Sequence, residues 1–150
     1  MDDKSIERLK YVHPDLASVV QLAYELSHVK FKVTEGLRTI EKQRKYVATG
    51  RSQTMSSYHL AQADGYSHAV DLAAFPNGEL SWDLEYYYDI ADAMDNAADA
   101  LGVCIKWGAA WNTTTEEFDS AREAANSYIK ERKKLGRKVF IDAVHFQIEV

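Results

Sequence analysis

The sequence contains little cysteine, proline or glycine. A single cysteine, Cys104, cannot form an internal disulfide, which excludes both a disulfide framework and a cysteine-based zinc site. With only 2 Pro and 7 Gly beside 46% hydrophobic residues, the chain does not belong to the collagen-like, low-complexity or disordered classes. The 150 residues are therefore expected to form one globular domain, in which any metal ion must be bound by His, Asp or Glu.

Positive charge and long apolar segments are also scarce. The chain has 18 Lys and Arg against 23 Asp and Glu, and its largest basic cluster is short, at residues 130–138. Phosphate binding needs a concentrated positive surface, so nucleic acid is not expected as a partner. No segment approaches the roughly 20 apolar residues that span a bilayer, and no signal-peptide-like run follows Met1. We expect no membrane contact and synthesis in the cytoplasm.

Apolar periodicity predicts helices interleaved with short strands, which is the pattern of an α+β domain. The predicted helices cover residues 14–28, 39–49, 82–101 and 115–135, with Ser81 as the N-cap of the third. Strands or extended segments are predicted at residues 31–34, 69–75, 103–107, 139–141 and 145–149. The polar stretch at residues 51–67 is predicted to be a long loop, and loops of this length often carry function.

Three of the five histidines lie near an aspartate or in an extended segment: His59, His68 and His145. Any one of them, taken alone, is more often a surface or core residue than a ligand. Imidazole and carboxylate are nevertheless good zinc ligands, and a catalytic zinc uses three protein ligands while keeping a fourth position open for water. Two histidines and one aspartate would complete such a set.

Asp71 lies within an otherwise apolar predicted strand. An unpaired carboxylate there would cost several kcal/mol or change its pKa, so it requires a partner. An ion pair with Arg38 or Arg51, a capping role, or a metal ion would each supply one. The sequence pattern leaves these alternatives open.

Asp142 precedes His145 by three residues, just ahead of the last predicted strand. On a regular strand this spacing points the two side chains to opposite faces, so a turn or bulge must intervene if both serve one site. If His145 binds a metal, Asp142 is the natural general base for the bound water; otherwise it closes the turn after Ile141. Arg38 could bind a substrate carboxylate or polarise a carbonyl, or could be a surface arginine at a helix start.

Six short motifs follow one another along the chain: TEGLRT at 34–39, GRS at 50–52, SYHL at 57–60, SHAVDL at 67–72, WG at 107–108 and DAVHF at 142–146. Taken in this order, they resemble the motifs of the zinc-dependent M15 peptidases. The resemblance is strongest to phage endolysins of the L-alanyl-D-glutamate peptidase type, and it covers residues 31–147. Any one of these motifs is weak evidence by itself, but six in the family's order are a specific signal.

The resemblance implies roles for particular residues. Zn²⁺ would be bound by His59, Asp71 and His145, with Asp142 as the catalytic acid and base and Arg38 near the scissile bond. Ser57 would support His59. His59 and Asp71 are 12 residues apart, whereas the family's usual spacing is about seven, so His68 is a rival first ligand. On a regular strand, however, His68 would face away from Asp71.

The resemblance also implies the fold and the activity. The fold would be a small antiparallel sheet packed by helices, as in D-Ala-D-Ala carboxypeptidases and hedgehog-like proteins, with residues 1–150 as a single catalytic domain and a monomer. The enzyme would hydrolyse the L-Ala–D-Glu bond of the peptidoglycan stem peptide, acting in the periplasm after holin-dependent release. The longer segment at residues 112–138 would add a helix over the site.

Two other functions remain as alternatives. One is cleavage of D-Ala-D-Ala, which distant relatives in the resembled family perform. The other is a peptidoglycan-binding module without catalysis, in which Trp107, Trp111 and the tyrosine-rich helix would stack on the substrate.

Overall fold

The computed structural model describes residues 1–150 and contains five α-helices and four β-strands. The helices are α1 (Asp3–Leu9), α2 (Pro14–Leu26), α3 (Ile40–Ala48), α4 (Leu84–Leu101) and α5 (Ala121–Lys134). The strands are β1 (Phe31–Glu35), β2 (Ala69–Ala74), β3 (Ile105–Trp107) and β4 (His145–Ile148). Single 3₁₀ turns lie at Pro76–Gly78 and Thr115–Glu117. None of the helices combines the length and the apolar character needed to cross a bilayer.

The four strands form one antiparallel sheet in the order β1-β2-β4-β3. Successive residues of a strand point to opposite faces, and one face of this sheet carries the buried apolar side chains. Those side chains join α2 and α4 in a single hydrophobic core; among the largest are Phe31, Leu72, Trp107 and Phe146. The predicted α+β class with a small antiparallel sheet packed by helices is confirmed.

Local sequence signals explain several helix boundaries. Pro14 is the first residue of α2, where its missing N–H costs no hydrogen bond. The Thr39 side chain accepts a hydrogen bond from the Lys42 amide and caps α3. Gly102 ends α4 with a left-handed backbone, φ 68°, which glycine adopts without strain. Each of these signals lies within a few residues of the boundary it sets.

The predicted start of the third helix is wrong. The helix α4 begins at Leu84, and Asp83 is its N-cap, since the Asp83 side chain accepts a hydrogen bond from the Glu85 amide. Ser81 instead forms an antiparallel bridge with Ala74 at the end of β2. Both residues are good caps, and the pairing of the chain with the sheet decides between them.

The helix predicted over residues 115–135 is interrupted. A 3₁₀ turn occupies its beginning, and α5 starts only after Ser120, whose side chain accepts from the Glu123 amide. From α4, Asp92 accepts from the Ala121 amide and so fixes this second start by a tertiary contact. Residues 139–141 form no strand, and the short helix α1 was not predicted. A helix of seven residues is too short for its apolar periodicity to be detected reliably from the sequence.

Asp95 of α4 is a half-buried acidic group whose Oδ1 is shielded from solvent and has no hydrogen-bond partner. Burial, together with the charges of Asp99 and Asp92, raises its pKa to about 6. Between about pH 4 and pH 6 the folded chain therefore holds a proton that the unfolded chain has released. Stability must fall as the pH rises through this window, because the folded state has to ionise Asp95 at a cost.

Asp95→Asn is expected to stabilise the fold at pH 7, because it removes a half-buried charge while keeping the side-chain shape. We expect a gain of about 1 kcal/mol, since partial solvent exposure reduces the full effect of the pKa shift. Chemical denaturation at pH 7 and pH 4 would measure it, and the gain should disappear at pH 4. Asp89→Asn, on an exposed position of the same helix, is the control. A gain of equal size at both pH values would contradict the prediction.

Candidate active site

The register of the sheet places two candidate metal ligands side by side. Asp71 of β2 pairs directly with His145 of β4, and directly paired residues project from the same face. His145 Nδ1 lies 3.4 Å from Asp71 Oδ1. This is the sheet face opposite the hydrophobic core, so Asp71 reaches a cleft and not the apolar interior.

His59 reaches the same point from the long loop. Its Nε2 lies 3.1 Å from Asp71 Oδ1, and its Nδ1 lies 2.8 Å from the Gly36 carbonyl oxygen. The His59 carbonyl accepts from the Arg38 amide, which ties the loop to the end of β1. The Ser57 side chain accepts from the His59 amide and supports the turn that carries the imidazole.

The extra residues between His59 and Asp71 fold back within the loop and do not separate the two side chains. Residues 61–67 turn back on themselves: the Gln62 amide donates to the Tyr66 carbonyl, and Ala61 bridges to Ser67. The extra residues therefore form a local turn of the loop, and His59 remains next to β2. His68, the rival first ligand, bonds Asp64 at 2.8 Å and lies outside the group formed by the other three side chains.

The donor set fits a metal ion. The Gly36 carbonyl can only accept, so His59 Nδ1 carries the hydrogen and the Nε2 lone pair points at Asp71. His145 Nε2 faces Gln147 Oε1 at 2.8 Å, which likewise leaves the Nδ1 lone pair pointing at Asp71. Two lone pairs and a carboxylate oxygen thus converge, and a cation between them resolves their mutual repulsion.

The separations between these atoms agree with this interpretation. Tetrahedral coordination with bonds of about 2.1 Å separates neighbouring ligand atoms by about 3.4 Å. The observed separations are 3.1 Å and 3.4 Å, and all three ligand atoms lie within 4.8 Å of one another. The outer ring nitrogens of His59 and His145 donate to the Gly36 carbonyl and to Gln147 Oε1, and such hydrogen bonds orient metal-bound histidines in other proteins.

The charges at this point favour a bound cation. Burial by itself would raise the pKa of Asp71, but His145 and His59, which donate hydrogen bonds to the carboxylate when they are protonated, hold that pKa well below its usual range. Burial by itself would lower the pKa of His145, yet the Asp71 carboxylate raises it. The carboxylate thus stays ionised and attracts positive charge, which a metal ion or protonated imidazoles could provide.

A turn brings Asp142 to the same site as His145. The His145 amide donates to the Asp142 carbonyl at 3.0 Å, so the chain bends between the two residues. Gly108 fixes this turn through its backbone: its amide donates to the His145 carbonyl, and its carbonyl accepts from the Asp142 amide, both at 2.8 Å. A Cβ at Gly108 would overlap the Asp142 carbonyl oxygen. Trp107 adds a hydrogen bond from Nε1 to the Ala143 carbonyl.

The Asp142 carboxyl is suited to proton transfer. Burial and the nearby charge of Asp71 raise its pKa, while His145, His59 and Arg38 act in the opposite direction. Carboxyl groups with a raised pKa exchange protons more readily near neutral pH than ordinary ones. Asp142 lines the same cleft as the three candidate ligands, so a substrate or water molecule there can reach it.

Arg38 is anchored beside the site by two partners. Its Nε donates to Glu35 and its Nη1 donates to Gln43 Oε1 at 2.6 Å. Gln43 is fully buried, and its Nε2 donates to Ser52 Oγ and to the Thr54 carbonyl, so it links Arg38 to the loop. Arg38 therefore presents a positive charge in a fixed position on the cleft wall.

The cleft has a volume of about 980 Å³ and is open to solvent. One wall carries aromatic side chains: Trp111 lies 5.3 Å from the His145 ring between centroids and stacks on Phe140 at 6.2 Å. The exposed indole of Trp82 also lines the cleft. The helix α5 contributes no residue to the cleft, so the expectation of a helix over the site is wrong; residues flanking it, Trp111 and Phe140, line the cleft instead.

Several contributing residues were not found from the sequence. Gln147 could have been found, because it is two residues from His145 on a strand and must share its face. Gly36, Gln43 and Gly108 act through contacts that no local pattern reveals. The stacking surface expected for a binding module is not formed as predicted, because Trp107 is buried in the core, as are most of the tyrosines of α4.

Comparisons with known proteins show that the chain is similar to L-alanyl-D-glutamate peptidases. A family model described as "Phage L-alanyl-D-glutamate peptidase" matches residues 1–128. The chain is 30% identical over 122 residues to the L-alanyl-D-glutamate peptidase of Escherichia phage T5, covering 79% of this chain and 85% of that protein. The crystal structure of the Serratia marcescens L-Ala D-Glu endopeptidase ChiX is also similar, with a TM-score of 0.75, 36% identity, and coverage of 99% of this chain and 89% of that one.

Proposed function

Since the chain belongs to the phage L-alanyl-D-glutamate peptidase family and is a peptidoglycan endopeptidase, we propose which of its residues perform the hydrolysis. His59, Asp71 and His145 hold a Zn²⁺ ion, Asp142 transfers the proton, and Arg38 binds the substrate beside the scissile bond. The observation that carries the proposal is the convergence of two imidazole lone pairs on the Asp71 carboxylate, at the spacing of a tetrahedral ion.

Zinc is the metal that suits this ligand set best. Two imidazoles and one carboxylate are a common set of protein ligands in catalytic zinc sites, which keep a further position open. When bound, Zn²⁺ lowers the pKa of water towards about 7 and polarises a carbonyl group. The open cleft in front of Asp71 and the histidines leaves room for water and substrate.

Asp142 and Arg38 then have separate roles in peptide hydrolysis. Asp142 accepts a proton from the attacking water as the water oxygen bonds to the scissile carbonyl carbon. It gives this proton to the D-Glu nitrogen when the carbon–nitrogen bond breaks, so that D-Glu leaves as an amine and L-Ala keeps the water oxygen as a carboxylic acid, which then ionises. Arg38, held by Glu35 and Gln43, stabilises negative charge that develops on the carbonyl oxygen.

We also propose that residues 1–150 act as one catalytic domain and as a monomer. One hydrophobic core joins the helices to the sheet, and the candidate site residues all belong to that unit. The substrate is the stem peptide of the bacterial wall, which the enzyme reaches after its release from the host cytoplasm. We propose that a holin pore provides this release.

The test is identification of the products from purified peptidoglycan by mass spectrometry. Hydrolysis by the zinc-loaded chain should release peptides that begin with D-Glu and leave L-Ala attached to the muramyl sugar. Release of terminal D-Ala alone would assign the chain to D-Ala-D-Ala cleavage. Binding to walls without any product would indicate a module without catalysis.

A further inference from the structure

One cation in the cleft has no charged partner. Arg38 is paired with Glu35, which also accepts from Lys42. Arg51 lines the same cleft, but no carboxylate lies within 4.0 Å of its guanidinium group. The guanidinium keeps its five N–H donors free for a ligand.

The position of Arg51 is set by the end of α3. Its amide donates to the Tyr46 carbonyl at 2.8 Å, and its guanidinium carbon lies 4.5 Å from the centroid of the Tyr46 ring. The guanidinium carbon of Arg38 lies 4.6 Å from the centroid of the same ring. The Tyr46 ring thus contacts both guanidinium groups, and the free charge of Arg51 is held within the same cleft as Arg38.

The loop after Arg51 is also fixed. Gln43 donates to Ser52 Oγ at 2.8 Å and to the Thr54 carbonyl at 2.5 Å. Because Gln43 is fully buried and bonds Arg38 as well, one buried side chain holds both Arg38 and the loop residues Ser52 and Thr54 that follow Arg51. Binding an anion at Arg51 would therefore need little rearrangement of the loop.

The substrate of the proposed function supplies a suitable anion. D-Glutamate has two carboxyl groups, and only one of them continues the peptide chain. The other stays free or is amidated, and it lies a few bonds from the nitrogen of the scissile bond. A guanidinium binds a carboxylate through two parallel hydrogen bonds, whereas a neutral amide cannot accept both.

We propose that Arg51 binds the free carboxylate of the D-glutamate that follows the scissile bond. Arg51 thereby makes the enzyme prefer stem peptides whose D-glutamate is ionised over those whose D-glutamate is amidated. This inference rests on the proposed function and adds a determinant of substrate choice to it.

The test compares two synthetic stem peptides that differ only in whether D-glutamate carries a free carboxylate or an amide. With wild-type, zinc-loaded enzyme we expect kcat/KM to be about tenfold higher for the carboxylate peptide, the lower end for a charge-assisted hydrogen bond. Arg51→Gln should lower kcat/KM for the carboxylate peptide about tenfold and leave the amide peptide nearly unchanged. Arg51→Lys should retain part of the preference, since lysine keeps the charge without the paired donors.

Arg44→Gln is the matched control, because Arg44 is an exposed arginine of α3 outside the cleft. It should leave the preference of the enzyme unchanged. An equal loss on both peptides in Arg51→Gln, or an unchanged preference, would overturn the inference. If the wild-type enzyme cleaves the L-Ala–D-Glu bond in neither peptide, the proposed function itself fails. Failure of the proposed function is thus distinguishable from failure of the inference about Arg51.

Discussion

Asp142→Asn is expected to abolish hydrolysis while leaving the fold and the bound metal in place. General acid–base catalysis contributes about 10²–10⁴-fold, so turnover should fall by at least about a hundredfold. Asparagine has nearly the shape of aspartate, and the backbone hydrogen bond from the Asp142 amide to the Gly108 carbonyl does not involve the side chain. Release of stem peptides measures turnover, and metal analysis measures occupancy.

Two comparisons make this result specific to the proton-transferring role. Asp119→Asn removes an acidic group that is exposed and lies outside the cleft, and it should retain wild-type turnover. A variant at Asp142 that lysed purified walls at the normal rate would exclude this residue as the acid and base. Loss of the metal together with activity would show that Asp142 is a ligand instead.

His59→Ala is expected to lose the metal, and His68→Ala is expected to keep it. Even partners that merely orient a ligand contribute about 10–100-fold to metal affinity, so removal of one of three ligands should cost more. His68 is a close control, since it is also a mostly buried imidazole bonded to an aspartate, but it lies outside the three-residue group. Metal content per chain distinguishes the two variants directly.

Thermal unfolding provides a second measurement that does not depend on activity. A ligand that binds only the folded state raises stability, so added Zn²⁺ should raise the Tm of wild type and of His68→Ala. Zn²⁺ should not raise the Tm of His59→Ala. Chelation should stop wall lysis by wild type, and Zn²⁺ should restore it. Equal zinc content in both variants, or lysis that survives chelation, would contradict the assignment.

The residues of the candidate site differ in how far the sequence could identify them. Asp71 was recognisable because a carboxylate in an apolar strand requires a partner, and the structure supplies His59 and His145 instead of an arginine. The odd spacing of Asp142 and His145 required a turn, and a turn is present. The choice between His59 and His68 could not be made from spacing alone, because it depended on how residues 61–67 fold back.

Boundaries were less predictable than the elements themselves. The strong periodicity of α4 identified the helix, but its first residues were misjudged because Ser81 and Asp83 are both suitable caps. Because Ser81 forms a β-bridge with Ala74, it does not serve as the N-cap of α4. In the same way, the hydrogen bond from Ala121 to Asp92 helped to define the start of α5. Such contacts join residues far apart in the chain, and local propensity does not contain them.

Composition, periodicity and the order of short motifs were enough to establish the α+β class, the family and the residue types available for chemistry. Those properties depend on neighbours along the chain, which a sequence displays directly. The pairing of Asp71 with His145, the support of Gln43 for Arg38, and the close approach of Gly108 to Asp142 required the folded chain. They depend on sheet register and on side chains meeting across the cleft, where distances of a few tenths of an ångström decide which atoms can bind one ion.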